Sequence, residues 1–301
     1  MTLDKQIDIN MKTGISKLFV ASIAALLLGV LPVFAGGEFE TKKYKISDFR
    51  HRTTYVVLSG NAIVDAVLRS EFQRVWTLSP YEFSTIEDFN VSKKNPESYF
   101  LLLVDSRFRN ERHDNGIMDL SLFKGDPAAT GEGVEGLYHV ASMPLCAAED
   151  PDGRELIFLP CLINILQQQI LNIMEKDFNL VNDPLVDMST RMQKWDKRVA
   201  IAVEDMAATP SEELKAKYSA MNVDFVNHST IEDYVTTGAD ALVGYVVAPN
   251  EPQAGASCYC MIIDASKGEL LYIVKRAASL RKPKGFIEAD LVAFSRKARK
   301  K

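Results

Sequence analysis

The chain contains two stretches in which short apolar runs and longer amphipathic segments alternate in the same order. The apolar runs 55–58 and 200–203 lie 145 residues apart, and each is typical of a short buried strand. The sequence Ser-Thr-Ile-Glu-Asp occurs at 84–88 and again, at the same offset, at 229–233. Because two features of different kinds keep one spacing, the pattern predicts an internal duplication.

Each copy is predicted to begin with a strand, a helix, a second strand and a second helix. Asn61 is expected to cap the first helix of copy one, and the run Thr209-Pro210-Ser211 opens the corresponding helix of copy two. The expected first helices and second strands lie at 62–76 and 81–83, and at 212–221 and 223–226.

The repeated acidic residues lie where the second helix of each copy should start. Ser84 with Glu87, and Ser229 with Glu232, fit the Ser/Thr-x-x-Glu capping box, in which the carboxylate reaches back to the cap residue. Helix initiation therefore explains these acids. A catalytic carboxylate pair would need a pocket between the two groups, which the sequence does not show.

Both copies are expected to finish with a hairpin and a helix. The predicted strands are 99–105 and 117–123, then 241–247, 258–264 and 269–274, and the predicted helices are 154–177 and 285–298. The chain then divides into a first α/β repeat at 44–180, a linker at 181–197, and a second α/β repeat with a basic terminal helix at 198–301. The expected fold class is α/β (α+β), with two tandem copies of a mixed-sheet domain flanked by helices.

The amino-terminal segment 1–35 has the order of a signal peptide. Lys12 and Lys17 precede the apolar run 18–31, Pro32 ends it, and Val33-Phe34-Ala35 puts small or medium residues at the two positions that a signal peptidase reads. The alternative is a membrane anchor, which needs about 20 apolar residues. The length of the run and its flanks favour cleavage near Ala35, which predicts a periplasmic or secreted protein of about 266 residues.

Charge is distributed unevenly along the expected mature chain. Residues 36–301 carry 32 basic and 38 acidic side chains, but ten of the basic ones lie at 275–301. The end of the chain is either a solvated helix terminus or a contact for an anionic surface such as lipid head groups. An exported, net-acidic protein is not expected to bind nucleic acid. The basic residues in question are Arg296, Lys297, Arg299, Lys300 and Lys301.

The four cysteines give no clear metal or disulfide pattern. Cys258 and Cys260 share one face of a predicted strand at a spacing at or beyond the usual reach of a disulfide, so we interpret them as packed thiols. Export would permit a disulfide between Cys146 and Cys161, whose state the sequence leaves open. A Cys-x-Cys pair without a nearby histidine or a second cysteine pair is weak support for zinc.

Motifs of catalysis and of cofactor binding are otherwise missing from the sequence. The run 131–136 matches Gly-x-Gly-x-x-Gly, but no strand precedes it and no helix follows, so we expect a flexible loop and no nucleotide site. His139 lies in an apolar alternation and is expected to be packed, and His228 precedes a helix cap. We therefore expect no catalytic residue, no metal and no cofactor.

The second copy resembles a known group of proteins. Residues 237–246 (Thr-Gly-Ala-Asp-Ala-Leu-Val-Gly-Tyr-Val) and 262–271 (Ile-Ile-Asp-Ala-Ser-Lys-Gly-Glu-Leu-Leu) resemble the TolB amino-terminal-domain and curli-secretion (CsgG-like) group of bacterial envelope proteins. The resemblance covers 198–276 and the first copy in outline; 95–98 departs from it. It implies a compact, TolB-N/anticodon-binding-domain-like α/β fold, contacts within envelope assemblies, and strand-end or turn roles for Asp240 and Asp264.

These observations support three hypotheses of different classes. The leading one is a non-enzymatic exported protein that acts through contacts with an envelope protein or another cell-surface component. The second is the binding of a small ligand or glycan in a cleft between the domains, and the third is a hydrolase using Glu87, Asp88 or Asp105. A deep pocket with converging polar groups would favour ligand binding, and a broad exposed apolar patch would favour a protein partner.

Overall fold

The computed structural model describes residues 42–105, 116–131, 133–178, 184–190, 197–251, 256–278 and 284–297, and Glu38–Lys301 forms one compact unit. The signal segment 1–35 and three of the basic terminal residues (Arg299, Lys300 and Lys301) lie outside the described residues. The first half contains β1 (Thr54–Val57), α1 (Ala62–Val75), β2 (Tyr81–Ser84), α2 (Ile86–Ser92), β3 (Tyr99–Val104), β4 (Ile117–Lys124), β5 (Tyr138–Ala147) and α3 (Arg154–Glu175). The second half contains β6 (Val199–Ala202), α5 (Glu212–Ser219), β7 (Val223–Val226), α6 (His228–Thr237), β8 (Leu242–Val247), β9 (Ser257–Asp264), β10 (Glu269–Ala277) and α7 (Glu288–Lys297), and α4 (Pro184–Thr190) lies between the halves.

The two halves have the same sheet topology. The first sheet has the order β2-β1-β3-β4-β5, and the second, read in the same direction, has the order β7-β6-β8-β9-β10. In each sheet the first three strands in chain order are parallel to one another. The fourth strand pairs antiparallel with the third, and the fifth pairs antiparallel with the fourth. The prediction of an α+β fold with two similar mixed-sheet domains flanked by helices is confirmed.

The alignment of the repeated motif is wrong by about one helical turn. Val56 pairs with Phe83 in the first sheet, and its equivalent Ile201 pairs with Phe225 in the second. Phe83 therefore corresponds to Phe225, three residues before the position that the motif implies. The motif begins on the last residue of β2 in the first half, but within α6 in the second.

The capping box was also placed wrongly in both copies. Thr85, which follows the predicted Ser84, caps α2 by accepting a hydrogen bond from the backbone N–H of Asp88 at 3.2 Å. Asn227, two residues before the predicted Ser229, caps α6 by accepting from the backbone N–H of Thr230 at 2.9 Å. The predicted caps Asn61 and Ser211 are confirmed, since both accept from the first-turn amides of α1 and α5.

The first half contains a strand that the sequence pattern did not predict. β5 pairs antiparallel with β4 and buries Val140, Met143 and Leu145, where a hairpin alone was expected. A long connection, 125–137, joins these strands, whereas the corresponding connection in the second half is a short turn. The connection contains the glycine run, and its turn is held by Lys93, whose Nζ donates to the carbonyl oxygens of Gly131 at 2.7 Å and Gly133 at 2.9 Å.

α3 is the central element of the structure. It packs with α1 on one face of the first sheet and with α6 on one face of the second, so a single apolar cluster joins both halves. α5 and α7 cover the opposite face of the second sheet, and α2 with the 125–137 connection covers the opposite face of the first. Within the described residues α3 has the length and hydropathy to cross a membrane, but 67% of its most apolar window is buried inside the protein, as in a core helix.

The segment predicted as a linker contains part of the packed structure. α4 lies within 181–197, contacts β10, and buries Leu185 in the central cluster. Asp187 accepts a hydrogen bond from Lys176 at 2.6 Å and another from Asn172 at 3.1 Å, both near the end of α3. The chain therefore crosses from one half to the other while attached to the helix that both halves share.

Truncation of α3 in its buried centre should destabilise both halves together. Ile165→Ala removes a fully buried side chain from the shared cluster and should lower the free energy of unfolding by about 2–5 kcal/mol. Urea unfolding followed by far-UV and near-UV circular dichroism measures this change and should show one transition. Ile63→Ala, at an exposed position of α1, is the matched control and should change stability by about 0.5 kcal/mol or less. Two separated transitions, with only one shifted, would show that the halves unfold independently.

Candidate functional site

Polar side chains converge at the carboxyl edge of the parallel strands of the second sheet. Glu204 and Asp205 follow β6, His228 follows β7, and Asn250 follows β8. α5 and α6 leave β6 and β7 on opposite faces of the sheet, which opens a crevice between the ends of the two strands. This is the position where open α/β sheets bind ligands.

The first residue of α3 closes one side of the crevice. The guanidinium of Arg154 donates to both carboxylate oxygens of Asp205, at 3.1 and 3.0 Å, and both side chains are buried, with exposed fractions of 7% and 6%. Burial opposes the charge on Arg154, but the carboxylate of Asp205 outweighs it, so the pKa of Arg154 lies above its ordinary value. A bidentate pair between the two halves thus forms the floor of the cleft.

His228 lies against the same carboxylate. Its Nε2 is 3.0 Å from Oδ1 of Asp205, and 29% of its side chain is exposed. Asp205 therefore fixes the orientation of the ring, and Nδ1 has no hydrogen-bond partner within the described ranges. The prediction that His228 only precedes a helix cap missed this contact, because no nearby residue in the sequence indicates Asp205 as its partner.

An aromatic pair supports the floor. Phe158 and Tyr245 stack with their ring centroids 4.1 Å apart, and the guanidinium of Arg154 lies 5.5 Å from the Tyr245 ring. The Tyr245 hydroxyl donates to the backbone oxygen of Leu145 in the first half at 2.7 Å. Burial raises the pKa of Tyr245 well above its ordinary value, so this group remains a neutral hydrogen-bond donor.

The cleft consists of two adjoining cavities. The inner one, over Arg154 and His228, has a volume of about 120 Å³. The outer one has a volume of about 370 Å³ and shares Ala147, Asp150 and Asn250 with the inner one. An elongated polar molecule could therefore place one end in the inner cavity and lie along the outer one.

Among the described residues that line this cleft, carboxylates outnumber cationic groups. Arg154 is neutralised by Asp205, and Lys284 donates to Asn250, which in turn donates to Asp150. The acidic residues that line the two cavities are Glu149, Asp150, Asp152, Glu204, Asp205 and Glu251. The cleft is consequently expected to have a negative potential and to attract a cation.

The cleft does not contain an activated nucleophile among its described residues. Cys146 lines the inner cavity, but burial raises the pKa of its thiol to about 12. The reactive form of cysteine is the thiolate, so this group is inert at neutral pH. The arrangement is better suited to binding than to covalent chemistry.

The turn that follows the central strand of the first half is held by a carboxylate of its own helix. The carboxylate of Asp65 accepts hydrogen bonds from the backbone N–H groups of Ser59 and Gly60, at 2.8 and 3.0 Å, and from the Ser59 hydroxyl at 2.8 Å. These groups follow β1 as Glu204 and Asp205 follow β6. The backbone N–H groups after β1 are therefore already engaged by Asp65.

The remaining residues singled out from the sequence lie elsewhere. Asp264 accepts from the backbone N–H of Ser266 in the β9–β10 turn, and both Asp240 and Asp264 form ion pairs with Lys197, so their predicted structural roles are confirmed. His139 packs against Phe123, as predicted. Glu87 and Asp88 in the first turn of α2, and Asp105 after β3, do not line the cleft. Arg296 and Lys297 are the last two residues of α7.

The cysteines are reduced in this structure. Cys146 and Cys161 are free and buried, and so are Cys258 and Cys260, which confirms their interpretation as packed thiols. The groups of three or more His, Cys, Asp or Glu that would hold a metal are absent from the described part of the chain.

Comparisons of the chain with protein families, with curated proteins and with solved structures found no match. The resemblance to the TolB amino-terminal-domain and CsgG-like group therefore stays a prediction. What the site can do has to be argued from its own geometry.

The Arg154–Asp205 pair should be strongly coupled. Arg154→Met leaves the buried carboxylate of Asp205 without its main partner and should lower the free energy of unfolding by about 3–5 kcal/mol. The double variant Arg154→Met, Asp205→Asn removes both charges and should recover most of that loss. Urea unfolding of the wild type, both single variants and the double variant gives the coupling energy. If the double variant loses the sum of the two single losses, the pair contributes no coupling.

Proposed function

We propose that this chain is a non-enzymatic exported protein that binds a small, elongated polar ligand bearing an amine in the cleft between its halves. The observation that carries the proposal is the excess of carboxylates around two adjoining cavities at the carboxyl edge of β6, β7 and β8. An ammonium group is the complementary partner for such a surface, because it donates up to three hydrogen bonds and carries a positive charge.

Glu204 is the residue best placed to receive the ligand. It lines the inner cavity, its side chain is exposed, and it has no hydrogen-bond or ion-pair partner within the described residues. Asp152 lines the same cavity and lies 4.0 Å from the guanidinium of Arg154, which is already engaged by Asp205. The Asp152 carboxylate also accepts a hydrogen bond from the backbone N–H of Arg154 at 3.0 Å, so it helps to hold the start of α3. Of these two carboxylates, Glu204 is therefore the one that the fold does not use.

The outer cavity determines the expected shape of the ligand. Its volume is about three times that of the inner one, and Glu149, Asp150 and Glu251 line it. A compact monoamine would leave most of this surface uncovered. A linear molecule with positive charges spaced along its length would place one charge in each cavity, which favours a polyamine-like ligand.

Contact with an envelope partner stays a separate prediction. The exposed large apolar side chains of the described residues lie on five separate segments of the chain: Tyr44, Ile63, Val91, Val186 and Ile287. They give weaker support for a broad apolar docking face than the cleft gives for ligand binding. Export itself rests on the sequence of the segment 1–35.

Spermidine is the probe for this proposal. Isothermal titration calorimetry of the purified chain should show binding of one equivalent, and raising the salt concentration from 50 to 500 mM should weaken it. Glu204→Gln should weaken binding by about tenfold or more, since a hydrogen bond to a charged group contributes about 1.5–3 kcal/mol.

Glu87→Gln is the matched control, because Glu87 is an exposed glutamate on α2 outside the cleft. It should leave the affinity for spermidine unchanged. Equal affinities for the two variants, or equal binding of spermidine and an uncharged diol of the same length, would contradict the proposal.

A further inference from the structure

Two thiols lie side by side on the face of the second sheet that is remote from α3. Cys258 and Cys260 point to the same side of β9, are fully buried beneath the segment 284–297, and have their sulfur atoms 3.8 Å apart. They belong to the cluster covered by α5 and α7, whereas the cleft involves the inner face of the sheet. Neither thiol lines the cleft, but the two places adjoin at Gly285, which lines the inner cavity.

Hydrogen-bond donors are directed at both sulfur atoms. The backbone N–H of Gly285 donates to Sγ of Cys258 at 3.4 Å, and the guanidinium of Arg276 donates to Sγ of Cys260 at 3.5 Å. Two thiols packed only for their apolar surface would not need such donors. The arrangement is the one that stabilises negative charge on sulfur.

The cation beside the sulfurs is itself held in place. Arg276 contacts the carboxylate of Asp290, which also accepts from the backbone N–H of Ile287 at 2.9 Å and from the Tyr272 hydroxyl at 3.2 Å. The Nε of Arg276 is buried and has no hydrogen-bond partner within the described residues. Because the Asp290 carboxylate also accepts from Ile287 and Tyr272, the Arg276 guanidinium can donate both to that carboxylate and to the Cys260 sulfur.

The first proton of the pair is easily lost. Donation from the Cys260 thiol outweighs burial and, with the Gly285 N–H, lowers the pKa of Cys258 to about 7. The same hydrogen bond and burial raise the pKa of Cys260 well above its ordinary value.

We propose that Cys258 and Cys260 bind one soft monovalent metal cation, of the Cu(I) class, between their two sulfur atoms. Thiolates select soft cations, and two of them are a sufficient set for Cu(I). Structural zinc needs four ligands, and the described residues contain no group of three or more His, Cys, Asp or Glu that could hold a metal; the nearby Asp290 carboxylate is engaged by Arg276. Two S–H bonds break, two sulfur–metal bonds form, and two protons leave to solvent without any change of oxidation state.

The geometry requires only a small adjustment. Metal–thiolate bonds of about 2.3 Å, the length known for zinc, place two sulfurs about 4.6 Å apart when the metal lies on the line between them. The observed separation of 3.8 Å therefore has to open by less than 1 Å. The bound pair carries one negative charge, which Arg276 faces. Because 284–297 covers the thiols, uptake requires this segment to open, and bound metal should then protect α7 from hydrogen exchange.

The test is an anaerobic titration of the full reduced chain with the Cu(I)–bicinchoninate complex as the metal source. The wild type should withdraw one equivalent of Cu(I) from bicinchoninate. Cys258→Ser and Cys260→Ser should each reduce the affinity for Cu(I) by at least about 100-fold. Loss of a group that only supports a metal ligand costs up to about 100-fold, and loss of a ligand itself should cost at least as much. Cys161→Ser, at a buried free cysteine in the central cluster, is the matched control and should bind as the wild type does.

X-ray absorption of the Cu(I)-loaded wild type gives a second measure that does not depend on any variant. Two sulfur neighbours and no nitrogen or oxygen neighbour are expected. Failure of the wild type to compete with bicinchoninate would overturn the proposal. An equal loss of Cu(I) affinity in the Cys161→Ser and Cys258→Ser variants would also overturn it. A copper coordination shell that contains nitrogen or oxygen would do the same. Spermidine binding is measured separately on the metal-free chain, because neither thiol lines the cleft although Gly285 adjoins both places.

Discussion

The structure depends on the burial of one helix against two sheets. α3 presents apolar side chains to both, with Phe158, Leu162 and Ile165 in the cluster that joins the halves. A sheet whose apolar face is exposed to water is not stable, so each half needs α3 to cover its sheet and complete its core. This constraint explains why residues 38–301 form one compact unit although the chain is a duplication.

Polar contacts along the same helix fix its position relative to both halves. Gln167 donates to the backbone oxygen of Val75 at the end of α1 at 3.0 Å. Asn164 donates to the backbone oxygens of Lys267 and Gly268 in the β9–β10 turn, at 2.9 and 3.1 Å. Each contact satisfies backbone groups that would otherwise be left unpaired beside a buried helix. Burial of apolar side chains stabilises α3 against the two sheets, and the side-chain amides of Gln167 and Asn164 fix where along the helix each half packs.

The two halves stack in a head-to-tail arrangement. The first sheet presents its α1 and α3 face to the centre, whereas the second presents its α6 face and keeps the corresponding α5 and α7 face outside. Such an arrangement leaves two different end faces and could continue with further copies. The long 125–137 connection covers the end face of the first half with Val134 and Leu137, and the buried ammonium of Lys93 fixes it. The difference between the two hairpins therefore has a structural purpose: it terminates the stack.

The sequence was informative where local chemistry decides the structure. Asn61 and Ser211 were identified as caps because their side chains act on amides within the same turn. The strand β5 was missed because a long connection hides its pairing with β4. The motif was misaligned because the second half has three fewer residues between β6 and β7 than the first has between β1 and β2, which shifts the helix start by nearly one turn.

The cleft could not be predicted from the sequence because its components come from distant parts of the chain. Arg154 and Asp205 are 51 residues apart, and only the packing of α3 over the second sheet brings them together. His228 is 23 residues from the same carboxylate and has no local signal of its role. Buried charges that meet across an interface are recognisable only once the interface is known.

The two halves differ at the carboxyl edge of their central strands. In the first half, Asp65 accepts from the backbone N–H groups that follow β1, which holds that turn in place. In the second half, the carboxylate that follows the central strand is Asp205, and it is directed to Arg154 of the shared helix. The first half thus supplies the cation that organises the site of the second. A ligand in this cleft would contact both halves at the ion pair that joins them, so its binding should stabilise the packing of α3 as well as the site itself.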